Sequence, residues 1–222
     1  MGASMPNFSI LSIGMFTQYK YAWFEPYGKA TYTRDNPRCP KCGKGLGGLI
    51  WQPPYNVVLK QPRTIGDFID GPGGCDFLVS NRFLELYEKE NLSGIDRVLP
   101  INVCRMGTTE KAKSLTPPKI FGIYLRHTLT QVKFSDMGIK WVRYPEPDYC
   151  RLCGPGGGGR GGVMKSWEKI VVDNDTWSGD DIFFAINFPG VILLSEEAVN
   201  IFLKHTLTNI SITPCEEASH SW

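Results

Sequence analysis

The sequence predicts an α+β fold: a mixed or antiparallel sheet with a few packed helices. Three observations point there. Short segments rich in β-branched and aromatic residues are separated by glycine and proline. Two segments, 77–95 and 192–210, each read as strand, serine and amphipathic helix. The pattern CxxCG occurs twice, at Cys39–Gly43 and Cys150–Gly154, and staples the fold. With 42% hydrophobic and 12% aromatic residues in 222, the chain can bury a sizeable core, and a single domain over residues 1–222 is expected.

From the N-terminus, "FSILSIGMF", "YKYAWF" and "KATYT" read as strands. "LIWQPPYNVVLK" reads as a strand broken at Pro53 and Pro54. "FLVSNRFLELYEKENLSGI" (77–95) lies on "ILLSEEAVNIFLKHTLTNI" (192–210) without a gap, with Leu78, Ser80, Lys89, Leu92 and Ile95 matching Leu193, Ser195, Lys204, Leu207 and Ile210. Each serine is placed to cap a helix N-terminus. Gly94 and Asn209, residues suited to a left-handed turn, fall at one position after the helix. A Gly-Asp segment precedes each copy, at Gly66-Asp67-Phe68 and at Gly179 to Phe183, so repeat-like units span 66–95 and 179–210. Two readings stand at this level: one duplicated unit, or two unrelated units capped by the same rules. Between the copies "RVLPINVCRM", "KIFGIYLRH" and "QVKFSDMGIKWVRY" read as three more strands.

There are seven cysteines, an odd number, and four lie in the CxxC pairs, unlike a disulfide framework. A CxxC turn sets two sulfurs on one side of a tight loop, and the following glycine lets the chain turn back. Two facing turns supply Cys39, Cys42, Cys150 and Cys153 as four soft thiolate ligands, for which a structural Zn²⁺ is expected and iron is the minor option. Arg38, Lys41 and Arg151 would offset the negative charge. Closing the intervening loop costs roughly 4 kcal/mol, whereas a structural zinc contributes about 10–16 kcal/mol. The knuckles at 39–43 and 150–154 therefore close a folded insertion, not a linker. A redox CxxC would open a helix, but both pairs here run into glycine; two unligated turns are the remaining alternative. Cys75 and Cys104 read as core thiols and Cys215 as a spare thiol near the tail. "GPGGGGRGG" (154–162) lacks the Gly-Lys-Ser/Thr ending of a phosphate loop and reads as a flexible loop.

No enzyme is expected. The three histidines, His127, His205 and His220, stand beside no nucleophile motif, and Asp180 and Asp181 point to opposite faces of a strand. A net charge of +2 provides no basic field for nucleic acid. A zinc-ribbon nucleic-acid-binding protein is the runner-up, on Arg34, Arg38, Lys41 and Lys44 around the first knuckle. There is no signal-peptide pattern and no apolar run of membrane-spanning length, so a cytoplasmic protein with no membrane partner is expected.

The doubled CxxCG, the segment "WSGDDIF" at 177–183 and the two strand–Ser–helix units together resemble the myxobacterial double-CxxCG paralogous family. The resemblance runs from Tyr32 to Ile210, and "GDFI" and "LVS" inside the cysteine pairs make it more specific than the pairs alone. It implies an immunity protein (antitoxin) that binds and neutralises a cognate polymorphic swarming-inhibition toxin exchanged between kin bacteria. It matches Cys39, Cys42, Cys150 and Cys153 to the family's motif positions and implies no catalytic residues. The loop-rich rim around the knuckles and "GPGGGGRGG" is the expected toxin-contacting face.

Overall fold

Period-two alternation of apolar side chains builds three layers of core. In the computed structural model, which describes residues 7–14, 20–60, 64–70, 73–107, 116–145, 148–155 and 162–221, the strands are β1 (Phe8–Ile13), β2 (Trp23–Pro26), β3 (Thr31–Thr33), β4 (Ile50–Gln52), β5 (Asn56–Lys60), β6 (Phe68–Ile69) and β7 (Phe77–Ser80). Helix α1 (Asn81–Lys89) follows, then β8 (Ile95–Met106), β9 (Ile120–Leu125), β10 (Lys140–Arg143), β11 (Val163–Trp167), β12 (Ile182–Ala185) and β13 (Phe188–Ser195). Helix α2 (Glu196–Lys204), β14 (Ile210–Pro214) and β15 (His220–Ser221) end the described chain.

Sheet dominates, and among the described residues there are two α-helices where a few were expected. The other apolar runs are short and β-branched, which favours strands. "QVKFSDMGIKWVRY" forms a 3-10 turn at Phe134–Asp136 and only then β10, because Gly138 takes a left-handed φ of 64° that no strand continues through. A six-stranded sheet runs β2-β5-β8-β9-β7-β6 and a four-stranded sheet β12-β13-β1-β14. The pairing is antiparallel except between β5 and β8, so the architecture is mixed. Among the described residues no helix is long and apolar enough to cross a membrane.

One face of each sheet contributes to a shared central core. Phe77 and Val79 meet Phe83 and Leu86 of α1, Leu194 of β13, and Ile201 and Phe202 of α2. Phe68 and Phe83 stack at 4.6 Å between ring centroids, with Phe202 beyond. The intervening residues face outward: Leu78 packs with Trp51, Val57 and Leu59, and Leu193 packs with Phe8, Met137 and Ile170.

The two strand–Ser–helix units are structurally equivalent in detail. Ser80 Oγ accepts from Phe83 N at 3.2 Å, and Ser195 Oγ accepts from Ala198 N at 3.1 Å. Both helices end in a Schellman turn: Leu92 N donates to Tyr87 O at 3.0 Å and Leu207 N to Phe202 O at 3.1 Å. The left-handed residues that make these turns are Asn91 and Thr206, at φ 54° and 50°, while Gly94 and Asn209 supply a second positive φ three residues on. β6-β7-β9-β8 corresponds to β12-β13-β1-β14. The register agrees: Ser80 faces Ile120 and Ile95 faces Leu125, as Ser195 faces Phe8 and Ile210 faces Ile13. The fourth strand of the second unit therefore comes from the start of the chain.

The units clasp each other through the Gly-Asp segments. Asp67 Oδ1 accepts from its own cap serine, Ser80, at 3.2 Å, and Asp67 Oδ2 from Thr208 N at 2.9 Å and Thr208 Oγ1 at 2.8 Å. Asp181 accepts from its own cap serine, Ser195, at 2.7 Å and from Ser93 N and Oγ at 2.9 and 2.8 Å. Ser93 and Thr208 occupy equivalent positions, so each carboxylate secures the turn that follows the other unit's helix. Arg82 adds an ion pair to Asp67 at 2.6 Å, and Arg126 pairs with Asp180. Asp67→Ala should cost about 3 kcal/mol and Asp181→Ala about 2 kcal/mol in urea unfolding, because each strands buried donors. Alanine at exposed Asp175 should leave the midpoint unchanged.

Candidate metal centre

Each CxxCG segment folds into the same knuckle. Gly43 N donates to Cys39 O at 2.9 Å and Gly154 N to Cys150 O at 2.8 Å. Gly43 and Gly154 take left-handed φ values of 73° and 72°, which only glycine adopts without strain. The first knuckle is the tip of the β3–β4 hairpin, whose Trp51 is buried under the six-stranded sheet. The second joins β10 to β11, whose Met164 and Trp167 pack with Phe188 against the four-stranded sheet. Each half of the molecule thus presents one knuckle.

The knuckles meet. Cys39 Sγ lies 3.9 Å from Cys150 Sγ, and Cys42 Sγ 3.6 Å from Cys153 Sγ, across 111 residues of chain in both cases. All four sulfurs fall within 4.8 Å of one another. A tetrahedral ion at about 2.3 Å from each sulfur needs sulfur–sulfur edges of about 3.8 Å, so the donor set fits such an ion. The separations are far beyond the roughly 2.05 Å of a disulfide, and all four cysteines are free thiols. Cys39 and Cys153 are buried, Cys150 is half-buried and Cys42 reaches solvent. Leu46, Leu152 and Ile186 close over the buried side.

Ile186 and Asn187 form the tip of the β12–β13 hairpin and the floor of the second knuckle. Asn187 is buried and doubly bonded to the backbone of Val132, accepting from its N and donating to its O at 2.9 Å each. A Cβ on Gly154 would lie 2.4 Å from Asn187 O, whereas one on Gly43 would meet nothing within 4 Å.

Crowding of the sulfurs acts in opposite directions on Cys150 and Cys153. Burial pushes the Cys150 thiol up, but the N–H groups of Cys153 and Leu152 and the thiols of Cys42 and Cys153 outweigh it and bring it down to about 6. Burial and the neighbouring thiols drive Cys153 upward. A cation relieves this conflict by accepting all four as thiolates. Four thiolates complete a tetrahedral shell, so an ion held here offers no position for a substrate.

The structure brings together all four cysteines that the sequence singles out. Of the flanking cations, Arg38 donates to Gly43 O at 3.0 Å and so braces its own knuckle. Two of the other cysteines differ from expectation, whereas Cys75 packs against the core as expected. Cys104 is exposed on β8, where alternation turns it outward; Cys215 is buried, its thiol pushed up to about 12 by burial and Glu216. Cys75 is half-buried and likewise pushed to about 12 by burial. No histidine joins the cluster: His205 bonds Glu90 at 3.0 Å, His220 stacks on Trp167, and His127 lies against Gly47. Residues 156–161 of "GPGGGGRGG" lie outside the described residues. Leu46, Ile186 and Asn187 are site residues that sequence reasoning missed; the only signal was the polar Asn187 inside the apolar run "IFFAINFPGVILL".

No protein-family model matches the chain, and no curated protein matches it.

Purified protein should carry one transition-metal ion per chain by elemental analysis. Cys39→Ser or Cys153→Ser should abolish stoichiometric metal and lower the unfolding midpoint, and metal retention should fall with pH as protons compete for the thiolates. Gly154→Ala should destabilise the fold by several kcal/mol, through the backbone collision with Asn187 and a strained φ. Gly43→Ala should cost only about 1–2 kcal/mol, from φ alone. Equal losses at the two glycines would contradict the packing described for the second knuckle.

Proposed function

We propose that the chain is a non-catalytic binding protein: an immunity protein that neutralises a cognate toxin, with Zn²⁺ as the structural ion. The observation that carries this reading is the closed four-sulfur site formed by hairpins from opposite halves. Soft thiolates at zinc–thiolate spacing favour Zn²⁺ over hard cations, and a filled shell suits a staple, not a reagent. A body clasped by Asp67 and Asp181 and bolted at the knuckles loses little entropy on docking, as tight sequestration requires. The resemblance to the double-CxxCG family supplies the partner, a polymorphic toxin exchanged between kin cells and met in the cytoplasm. The reciprocity of the two units supports their descent from one duplicated ancestor. Arg38 is spent within its knuckle, which weakens the case for a nucleic-acid-binding ribbon.

The toxin-contacting face is placed at the knuckle rim, where Lys41, Cys42, Lys44 and Arg151 are exposed. Co-expression with a toxin encoded by the neighbouring gene should restore growth, and the two proteins should co-elute as a one-to-one complex. Charge reversal at Lys44 should weaken that complex roughly tenfold or more while leaving metal content unchanged. Growth rescue without any complex would overturn sequestration.

A further inference from the structure

Between the first knuckle and the β12–β13 hairpin lies a cavity of about 520 Å³. That volume lies in the range of sites for small organic molecules. Leu46, Phe184, Ile186 and Ile192 give it apolar walls, and Asp76 and His127 are among its polar lining residues, with Lys44 and Thr128. Asp76 Oδ2 accepts from Leu125 N at 2.6 Å, and no second donor among the described residues reaches that carboxylate. The nearest cation is already committed: the Arg97 guanidinium lies 4.3 Å from the centre of the Tyr124 ring and 3.5 Å from Asp96. Lys44 stands at the exposed rim, and burial lowers the His127 pKa, which favours the neutral imidazole. Burial also pushes the Asp76 carboxyl up to about 6, against the Leu125 N–H and Arg97. Surrounding protein thus disfavours the charge, with only Arg97 opposing it electrostatically, while the Asp76 side chain stays open to the solvent-accessible cavity.

We propose that this cavity binds a small amphiphilic organic cation, with an amine or amidine head on Asp76 and an apolar body against Leu46, Phe184, Ile186 and Ile192. An ammonium is a charge-assisted partner for the open carboxylate oxygen, and the apolar walls reward a hydrocarbon or aromatic body. Cys153 and Leu46 belong to both the cavity and the metal centre, so the knuckles fix the cavity's shape. The inference is independent of the toxin reading, because it rests on Asp76 and the cavity alone.

The metal-loaded full chain is titrated with 2-phenylethylamine, 2-phenylethanol and 3-phenylpropionate, and binding is followed by NMR shifts and calorimetry. The amine should bind roughly tenfold or more tightly than the alcohol or the acid. Asp76→Asn should bring amine and alcohol to parity. Gly48→Phe fills the cavity from a position where a Cβ meets nothing within 4 Å; it should remove amine binding while metal content and unfolding midpoint hold. Absence of saturable amine binding at millimolar concentration, preference for the acid, or an unchanged amine preference in Asp76→Asn would each overturn the proposal.

Discussion

Two carboxylates govern the arrangement of everything else. Asp67 reaches across 141 residues to Thr208 and Asp181 across 88 residues to Ser93, and each also holds its own helix cap. Because the contacts are reciprocal, the two units are fixed in one mutual orientation. Equivalent residues meet their own counterparts: Glu90 meets His205 where the helices end, and Cys39 meets Cys150 at the knuckles. The sulfurs converge because the body that carries the hairpins has already been oriented by the clasp.

This division of labour also settles the energetics. A four-thiolate site assembled from a floppy chain would have to order more than a hundred residues. Here the central core of Phe68, Phe83, Ile123 and Phe202 does most of that ordering by burying apolar surface. An ion held by the four sulfurs would then have only the hairpins left to fix, and these have small cores of their own: Cys39, Cys153 and Ile186 are the buried residues of the knuckle cluster among those described.

Legibility from sequence followed the range of the interactions. The helices were readable because capping is local: Ser80 and Ser195 bond three residues ahead. The four cysteines were readable because the CxxCG turn is local and its chemistry narrow. The Schellman residue Thr206 was not, since threonine seldom takes positive φ and here does so within the hydrogen-bonded turn of Thr206 N to Leu203 O and Leu207 N to Phe202 O. Asp67 and Asp181 were visible as a recurring segment, but their partners lie too far along the chain for periodicity to reveal. The equivalence of β9 with β1 was hidden by order: β9 follows its own unit, whereas β1 precedes its unit by most of the chain. Cys215 looked like tail and is core, because its N–H bonds Phe8 O and brings the C-terminal segment onto the first strand.

That displaced strand has a temporal consequence. The first unit finds all its strands within 66–125, but β1 docks only between β13 and β14, with Phe8 opposite Ser195 and Ile13 opposite Ile210. At a synthesis rate of about 5–20 residues per second, the earliest apolar strand leaves the ribosome about 10–40 s before its neighbours exist. "FSILSI" therefore has no partner strand until residues 188–214 have been made. The first unit can complete its strands while later residues are still being made, whereas the second cannot close before β13 and β14 exist.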